Sequence, residues 1–430
     1  MTFSLPGALE SMADRVRLER YSAAGLVRHG VRRRPWRPVF GDGSGRSHYD
    51  VVVIGGGVHG LATAYYLAER HGLRDVAVLE RGYIGGGNSG RNTAIVRANY
   101  LTVDGVAFYR RSLELYGGLT SELNFNVMFE QRGQLTLGHD EGALRTLRWR
   151  AEVNRVLGVE SSIVDPQECK KLIPQLELRS GRYPVLGGLW HPPGGIIRHD
   201  AVVWAYARAA AARGVHIRQQ TEVVGIAKEG SAFRVSTLGG DLRAAVVVNC
   251  TAGWASTVAA MVGVTLPVHS GPLQAAVTEP VKPLFRPILS SSNLHAYVSQ
   301  TSRGELVLGG AVDPFPSYST RGSLEYLERL AANILEMLPG LAGVRVLRQW
   351  AGVCDMTPDA APIIGRSPVD GFLLDVGWGT YGFKAGPAAG EAVAELIASG
   401  QVPDLVAPFG LDRFRSGRLV NEKGAAAVGH

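Results

Sequence analysis

The chain of 430 residues is long enough for two to three domains. Its 46% hydrophobic and 19% charged residues exclude a disordered chain, a coiled coil and a disulfide scaffold, and its 55 glycines, nearly twice the usual share of about 7%, predict tight turns or backbone held close to a ligand. The net charge of +7 raises nucleic acid as a partner, but residues 1–48 hold nine arginines against four acids and the rest is nearly neutral, so no nucleic-acid partner is expected.

The leader 1–48 reads as a basic, Pro-punctuated extension without the apolar stretch of a secretion signal. Asp50–Ile54 is predicted as a buried strand, Gly60–His71 as a helix and Asp75–Leu79 as a second strand, which together make a βαβ unit. Val127–Leu137 and His295–Gly310 alternate as antiparallel strands do. Asp200–Arg213 is predicted as an amphipathic helix feeding the strand Val215–Arg218, Thr221–Lys228 and Phe233–Thr237 as a hairpin, and Arg243–Asn249 as a return to the first sheet. The uncharged run Ala244–Val268 could span a bilayer by length alone, but it divides into a β-branched strand, a turn and an Ala-rich helix, so no membrane segment is expected. Phe372–Val376 is a strand, Gly377–Gly386 a glycine-rich turn, and Pro387–Ser399 a helix with proline at its start. Cys169, Cys250 and Cys354 are scattered, with no Cys-x-x-Cys, so neither disulfides nor a metal cage are indicated and a reducing cytoplasm is the expected compartment.

Gly55-Gly56-Gly57-Val58-His59-Gly60 fits G-x-G-x-x-G between a strand and a helix, with Glu80 at the end of the next strand. Gly55 permits the tight turn, Gly57 lets backbone approach a pyrophosphate, Gly60 lets helix pack on strand, and Glu80 would accept hydrogen bonds from ribose hydroxyls. The segment Arg81-Gly82-Tyr83-Ile84-Gly85-Gly86-Gly87-Asn88-Ser89-Gly90-Arg91-Asn92-Thr93 is a second glycine-rich loop, able to wrap the rest of the pyrophosphate and a flavin edge.

With Glu222-Val223, Asn249 to Trp254 and Gly377 to Lys384, this loop resembles the amine-oxidising branch of the D-amino-acid oxidase-like FAD proteins. Within that branch, the stretches Val58 to Leu67, Gly87 to Leu101, His295 to Gln300 and the tail Gly424 to His430 resemble the β-subunit family of heterotetrameric sarcosine oxidases, from Tyr49 to the end. The implied fold is α/β: a Rossmann-like FAD-binding domain of the D-amino-acid oxidase type (49–115, 195–265 and 345–410), an interleaved antiparallel-sheet substrate domain (116–194 and 266–344), and a tail, 411–430. The resemblance implies noncovalent FAD, FMN attached covalently to His199, and companion α, γ and δ subunits, with NAD and tetrahydrofolate sites on α. It further implies cofactor contacts from His59, Arg81, Asn88, Arg91, Asn92, Thr93, Ile95, Val223, Gly379, Gly382 and Lys384.

The implied reaction is oxidative demethylation of sarcosine, in which hydride passes to FAD, electrons pass to FMN and oxygen becomes hydrogen peroxide. Glycine and formaldehyde, or 5,10-methylenetetrahydrofolate, are the products. Arg97 matches a carboxylate anchor, Lys384 a cation beside the flavin, and Tyr297 a pocket wall. Without the resemblance His199 reads as a locally hydrogen-bonded histidine at a helix start, and the bland reading of Arg97 and Lys384 is an ion pair. Cys354 sits too close to Asp359 to match the flavin-linking cysteine of monomeric relatives and reads as a packed thiol. Two rivals share these residues: a dehydrogenase of N-methylglutamate or another secondary amine, and a non-catalytic flavoprotein serving assembly.

Overall fold

The computed structural model describes residues 39–179 and 182–425, together with positions 23, 27, 30 and 31; most of the basic leader and the end of the tail lie outside the described residues. Among the described residues three sheets form. The first is organised by His48–Ile54, whose Val-Val-Val-Ile run has no polar face and so suits burial on both sides. It pairs in parallel with Val76–Leu79 on one edge and with Gly240–Asn249 on the other. Phe372–Val376 joins Gly240–Asn249 in parallel, and the hairpin Val223–Glu229 with Ala232–Thr237 extends the sheet antiparallel. The helices Val58–Arg70, His199–Ala212 and Gly386–Ser399 supply the apolar side chains of one large core.

The second sheet runs in the order Val346–Met356, His269–Pro280, Glu305–Val312, Ala296–Gln300, Ile288–Ser291, Gln134–Gly138, Gly187–His191, Ser162–Val164. All its pairings are antiparallel except that of Ile288–Ser291 with Gln134–Gly138. Leu324–Met337 backs it through Tyr326, Leu330, Ile334 and Met337, the one-face spacing of an amphipathic helix, and Ser323 caps its start by accepting from the Tyr326 N–H. A small third sheet brings Ile95–Val96 and Glu130–Gln131 onto Gly195–Ile196.

The structure runs Val58–Arg70 where the sequence predicts Gly60–His71, and His199–Ala212 where it predicts Asp200–Arg213. The uncharged run resolves into strand Gly240–Asn249, a short turn of helix, and helix Ala255–Ala260. Among the described residues no helix is long and apolar enough to cross a membrane. The described residues from Phe40 on pack as one unit, which includes part of the stretch read as an extension. There Phe40 is buried, the Gly41 carbonyl accepts from Ile217 N (2.9 Å), and Arg218 reaches the Asp42 and Gly43 carbonyls (2.8 Å each).

Candidate active site

One cavity of about 530 Å³ opens where the first βα turn, the second glycine-rich loop and the antiparallel sheet meet. Its size suits an organic cofactor with a small substrate. Of the sequence-predicted site residues, all line it except Gly60 and His199.

The glycine turn has its geometry for steric reasons. Gly55 has φ +115°, and a Cβ there would lie 2.4 Å from the Cys250 carbonyl oxygen; a Cβ on Gly60 would lie 2.1 Å from the Gly55 carbonyl. Gly60 therefore acts by seating the helix rather than by facing the cavity. The helix Val58–Arg70 starts from Gly57 with no side-chain cap, and its backbone N–H groups make a ready anion site, as a pyrophosphate requires. Glu80 stands at the end of Val76–Leu79, where its carboxylate accepts from Gly56 N (2.9 Å) and Gly82 N (2.8 Å). The Val58 N–H at that terminus is taken by the Ser89 hydroxyl (2.9 Å), and the positive end of the helix together with a fixed carboxylate one strand away fits a dinucleotide.

The second loop is fastened to the strand Val346–Met356. The Asn88 side chain donates to the Val353 carbonyl (2.6 Å) and accepts from the Val353 N–H (2.9 Å), while the Trp350 indole donates to the Arg91 carbonyl (2.7 Å). Arg91 turns back to the Gly86 and Gly87 carbonyls, and Asn92 to Ser89. Thr93 Oγ1 donates to the Tyr297 hydroxyl (3.2 Å), joining the loop to the second sheet. Arg81 lies over Trp254, its guanidinium carbon 3.7 Å from the ring centroid. Ile95 and Val223 add apolar wall.

His59 is a cavity residue whose partners the sequence does not reveal. Its Nδ1 donates to Asp375 (3.1 Å) and its Nε2 to the Gly382 carbonyl (2.9 Å), so both ring nitrogens carry protons. Burial opposes that charge, but the Asp375 carboxylate outweighs it and holds the imidazole pKa above its usual value. Asp375 also accepts from the Trp378 indole (2.7 Å), and Asp355, raised to about 6 by burial, accepts from Gly377 N (2.6 Å). Asp375 and Asp355 fix both sides of the glycine-rich turn; Asp375 is a lone acid in the apolar, buried strand Phe372–Val376 and Asp355 the lone acid in the buried half of Val346–Met356, the one signal by which sequence could have flagged them.

Arg97 and Lys384 approach one aromatic ring. The guanidinium of Arg97 lies 5.9 Å, and the ammonium of Lys384 5.8 Å, from the Tyr381 centroid. Arg97 is 5% exposed and Lys384 9%. Among the described residues neither has a carboxylate partner: Arg97 donates to the Asn99 carbonyl (2.9 Å), the Asn99 side-chain oxygen (3.0 Å) and the Ala425 carbonyl (2.8 Å), and Lys384 to the Thr380 carbonyl (3.4 Å). Burial, with Arg97 adding to it, pushes the Lys384 amine down to about 7. Lys384 sits in the short helical turn Phe383–Ala385 that opens Gly386–Ser399, which gives the predicted turn a fixed conformation.

His199 stands apart from this cavity at the first position of His199–Ala212. Its Nδ1 is buried without a partner among the described residues, and burial lowers its pKa, so the imidazole is neutral at pH 7. A neutral ring with an unoccupied nitrogen fits covalent attachment of a flavin. Cys354 is buried and its thiol is pushed up to about 12 by burial, which keeps it protonated.

Residues 50–396 match the family described as FAD dependent oxidoreductase. The chain is 43% identical to sarcosine oxidase subunit beta of Rhodobacter capsulatus, over 96% of this chain and 100% of that protein. It is 44% identical to the subunit of the same name from Rhizobium meliloti, over 95% and 99%. Its fold is similar to the crystal structure of L-proline dehydrogenase from P. horikoshii, with a TM-score of 0.82 and 31% identity, covering 87% of this chain and 100% of that one. The chain belongs to the sarcosine oxidase subunit beta family, within the FAD dependent oxidoreductases.

Proposed function

We propose that this chain oxidises sarcosine at its N-methyl carbon, as the β subunit of a cytoplasmic heterotetramer. In that assembly α, γ and δ subunits complete the enzyme, and NAD and tetrahydrofolate belong to α. The observation that carries the reading is the pair of buried cations, Arg97 and Lys384, on the wall of a glycine-lined cavity with no carboxylate partner among the described residues. Buried cations without a carboxylate partner are costly, and a small amino acid brings one carboxylate that lies against both and offsets one of the two charges. The names of the relatives agree.

FAD would be held by Glu80 at its ribose, by the Gly55–Gly57 turn and the Val58 helix terminus at its phosphates, and by the 377–384 turn near its ring. FMN would be carried on His199. When bound, the flavins supply the redox chemistry that turns the N-methyl amine into an imine and oxygen into hydrogen peroxide. The protein's task is orientation. Arg97 donates edge-on to the carboxylate, Lys384 supplies the second charge, Tyr297 and Tyr381 close the walls, and the amine reacts in its neutral form.

The test is anaerobic mixing of the purified flavoprotein with sarcosine, followed by admission of oxygen. Flavin bleaching, then peroxide formation with return of colour, is the expected course. Bleaching by N-methylglutamate in preference to sarcosine, or reoxidation only by an added acceptor, would turn the assignment to a dehydrogenase. A flavin that no amine bleaches would leave an assembly role.

A further inference from the structure

The C-terminal tail is a distinctive sequence stretch that FAD binding and amine oxidation leave without a task. It reaches the substrate anchor. A guanidinium has five N–H donors. Arg97 gives Nη1 to the Asn99 carbonyl and side chain, at 2.9 and 3.0 Å, and Nη2 to the Ala425 carbonyl at 2.8 Å. That leaves Nε–H and one Nη2–H without a protein partner among the described residues, the number a carboxylate accepts in a bidentate pair.

Ala425 does not reach Arg97 by chance of a loose end, because the tail is pinned just before it. The Glu422 side chain, 2% exposed, accepts from Leu101 N (3.0 Å), Thr102 N (2.9 Å) and the Thr102 hydroxyl, at the start of the helix Val103–Glu122. A carboxylate there meets the positive end of a 20-residue helix. The Glu422 backbone donates to the Asp359 carbonyl (3.0 Å) and accepts from the Tyr381 hydroxyl (3.1 Å), so the tail also holds the ring that both cations approach. Asp359 is in turn fixed by a buried bidentate pair with Arg413, at 2.8 and 2.9 Å.

We propose that the C-terminal tail is a positioning element of the substrate site. The Ala425 carbonyl, located by Glu422, fixes the guanidinium of Arg97 so that its free edge faces the carboxylate of the substrate. The inference rests on Arg97 being the carboxylate anchor. It predicts that the tail governs substrate affinity and leaves flavin binding and the chemical step alone.

The test is steady-state kinetics on the full-length FAD-loaded protein, on a variant lacking residues 424–430, on Arg97→Ala, and on the two combined. The deletion keeps Glu422 and its helix cap and removes the Ala425 carbonyl. The deletion should raise the KM for sarcosine by about tenfold, the size of one lost hydrogen bond to a charged group, with kcat and FAD content unchanged. A secondary amine without a carboxylate should be turned over equally by both proteins. In the Arg97→Ala background the deletion should have no further effect. Glu422→Gln, which retains the tail but weakens its anchor, should move KM in the same direction by less. An unchanged KM in the deletion overturns the proposal, as does an equal rise with and without Arg97. A normal KM in Arg97→Ala overturns the anchor reading itself, independently of the tail.

Discussion

Lys384 makes the substrate site sensitive to pH in a direction that can be worked out. An ordinary lysine keeps its charge to 10.5, whereas burial and then the neighbouring Arg97 bring Lys384 to about 7. In the free protein it therefore loses its proton as pH rises through 7. A bound carboxylate favours the protonated amine, so affinity for a carboxylate is full below 7 and falls about tenfold per pH unit above it, until the raised pKa of the complex is reached. Acetate is a suitable probe because its own charge is constant across this range and it does not react. Its dissociation constant, read from perturbation of the flavin spectrum between pH 7 and 9, should rise by about a hundredfold at most. Asp355, raised to about 6, titrates below the window. Lys384→Met should flatten the curve and weaken binding at pH 7. Arg97→Ala should weaken binding at every pH and move the break to higher pH, since a like charge has been removed. A break near 7 that persists in Lys384→Met would refute the assignment.

Glu80→Ala should raise the dissociation constant of FAD by about tenfold to a hundredfold, the cost of losing hydrogen bonds to a charged acceptor, measured by fluorescence titration of the apoprotein. His199→Ala should abolish flavin retained in acid-precipitated protein while the FAD released to the supernatant is unchanged. Cys354→Ala should keep both flavins, and Cys354 should resist alkylation at pH 8 until the protein is unfolded, because its thiol is buried and raised to about 12. Asp359→Ala should lower the free energy of unfolding by about 3–5 kcal/mol by stranding Arg413 in the core, seen as a lower midpoint in denaturant.

The parts of the site legible in the sequence are those made by neighbours along the chain. The 55–60 turn and Glu80 belong to one βαβ unit, and steric need for glycine writes itself into the residue type. The second loop is legible by composition, although its attachment through Asn88 to Val353 is not. What sequence could not give is the pairing of distant groups. His59 and Asp375 are 316 positions apart, and nothing local distinguishes a doubly bonded imidazolium from a histidine facing a cofactor. Arg97 was readable as a cation, but its isolation from acids and its hold on Ala425 depend on the tail crossing the molecule. The antiparallel layer was readable as alternating runs, whereas the parallel pairing of Ile288–Ser291 with Gln134–Gly138 depends on how distant strands meet.

The position of His48–Ile54 in the first sheet bears on how the protein is made. One edge finds Val76–Leu79 almost at once, but the other waits for Gly240–Asn249, roughly 190 residues later, which at about 5–20 residues per second is on the order of 10–40 s of synthesis. During that interval an apolar strand presents an open edge, a template for pairing with the wrong chain. The cavity closes later still, once Phe372–Val376 and the turn bearing Lys384 have emerged. Flavin supply thus acts on a nearly complete chain, whereas translation slowed before Gly240–Asn249 lengthens the exposed interval and should appear as aggregation of nascent protein rather than as inactive soluble enzyme.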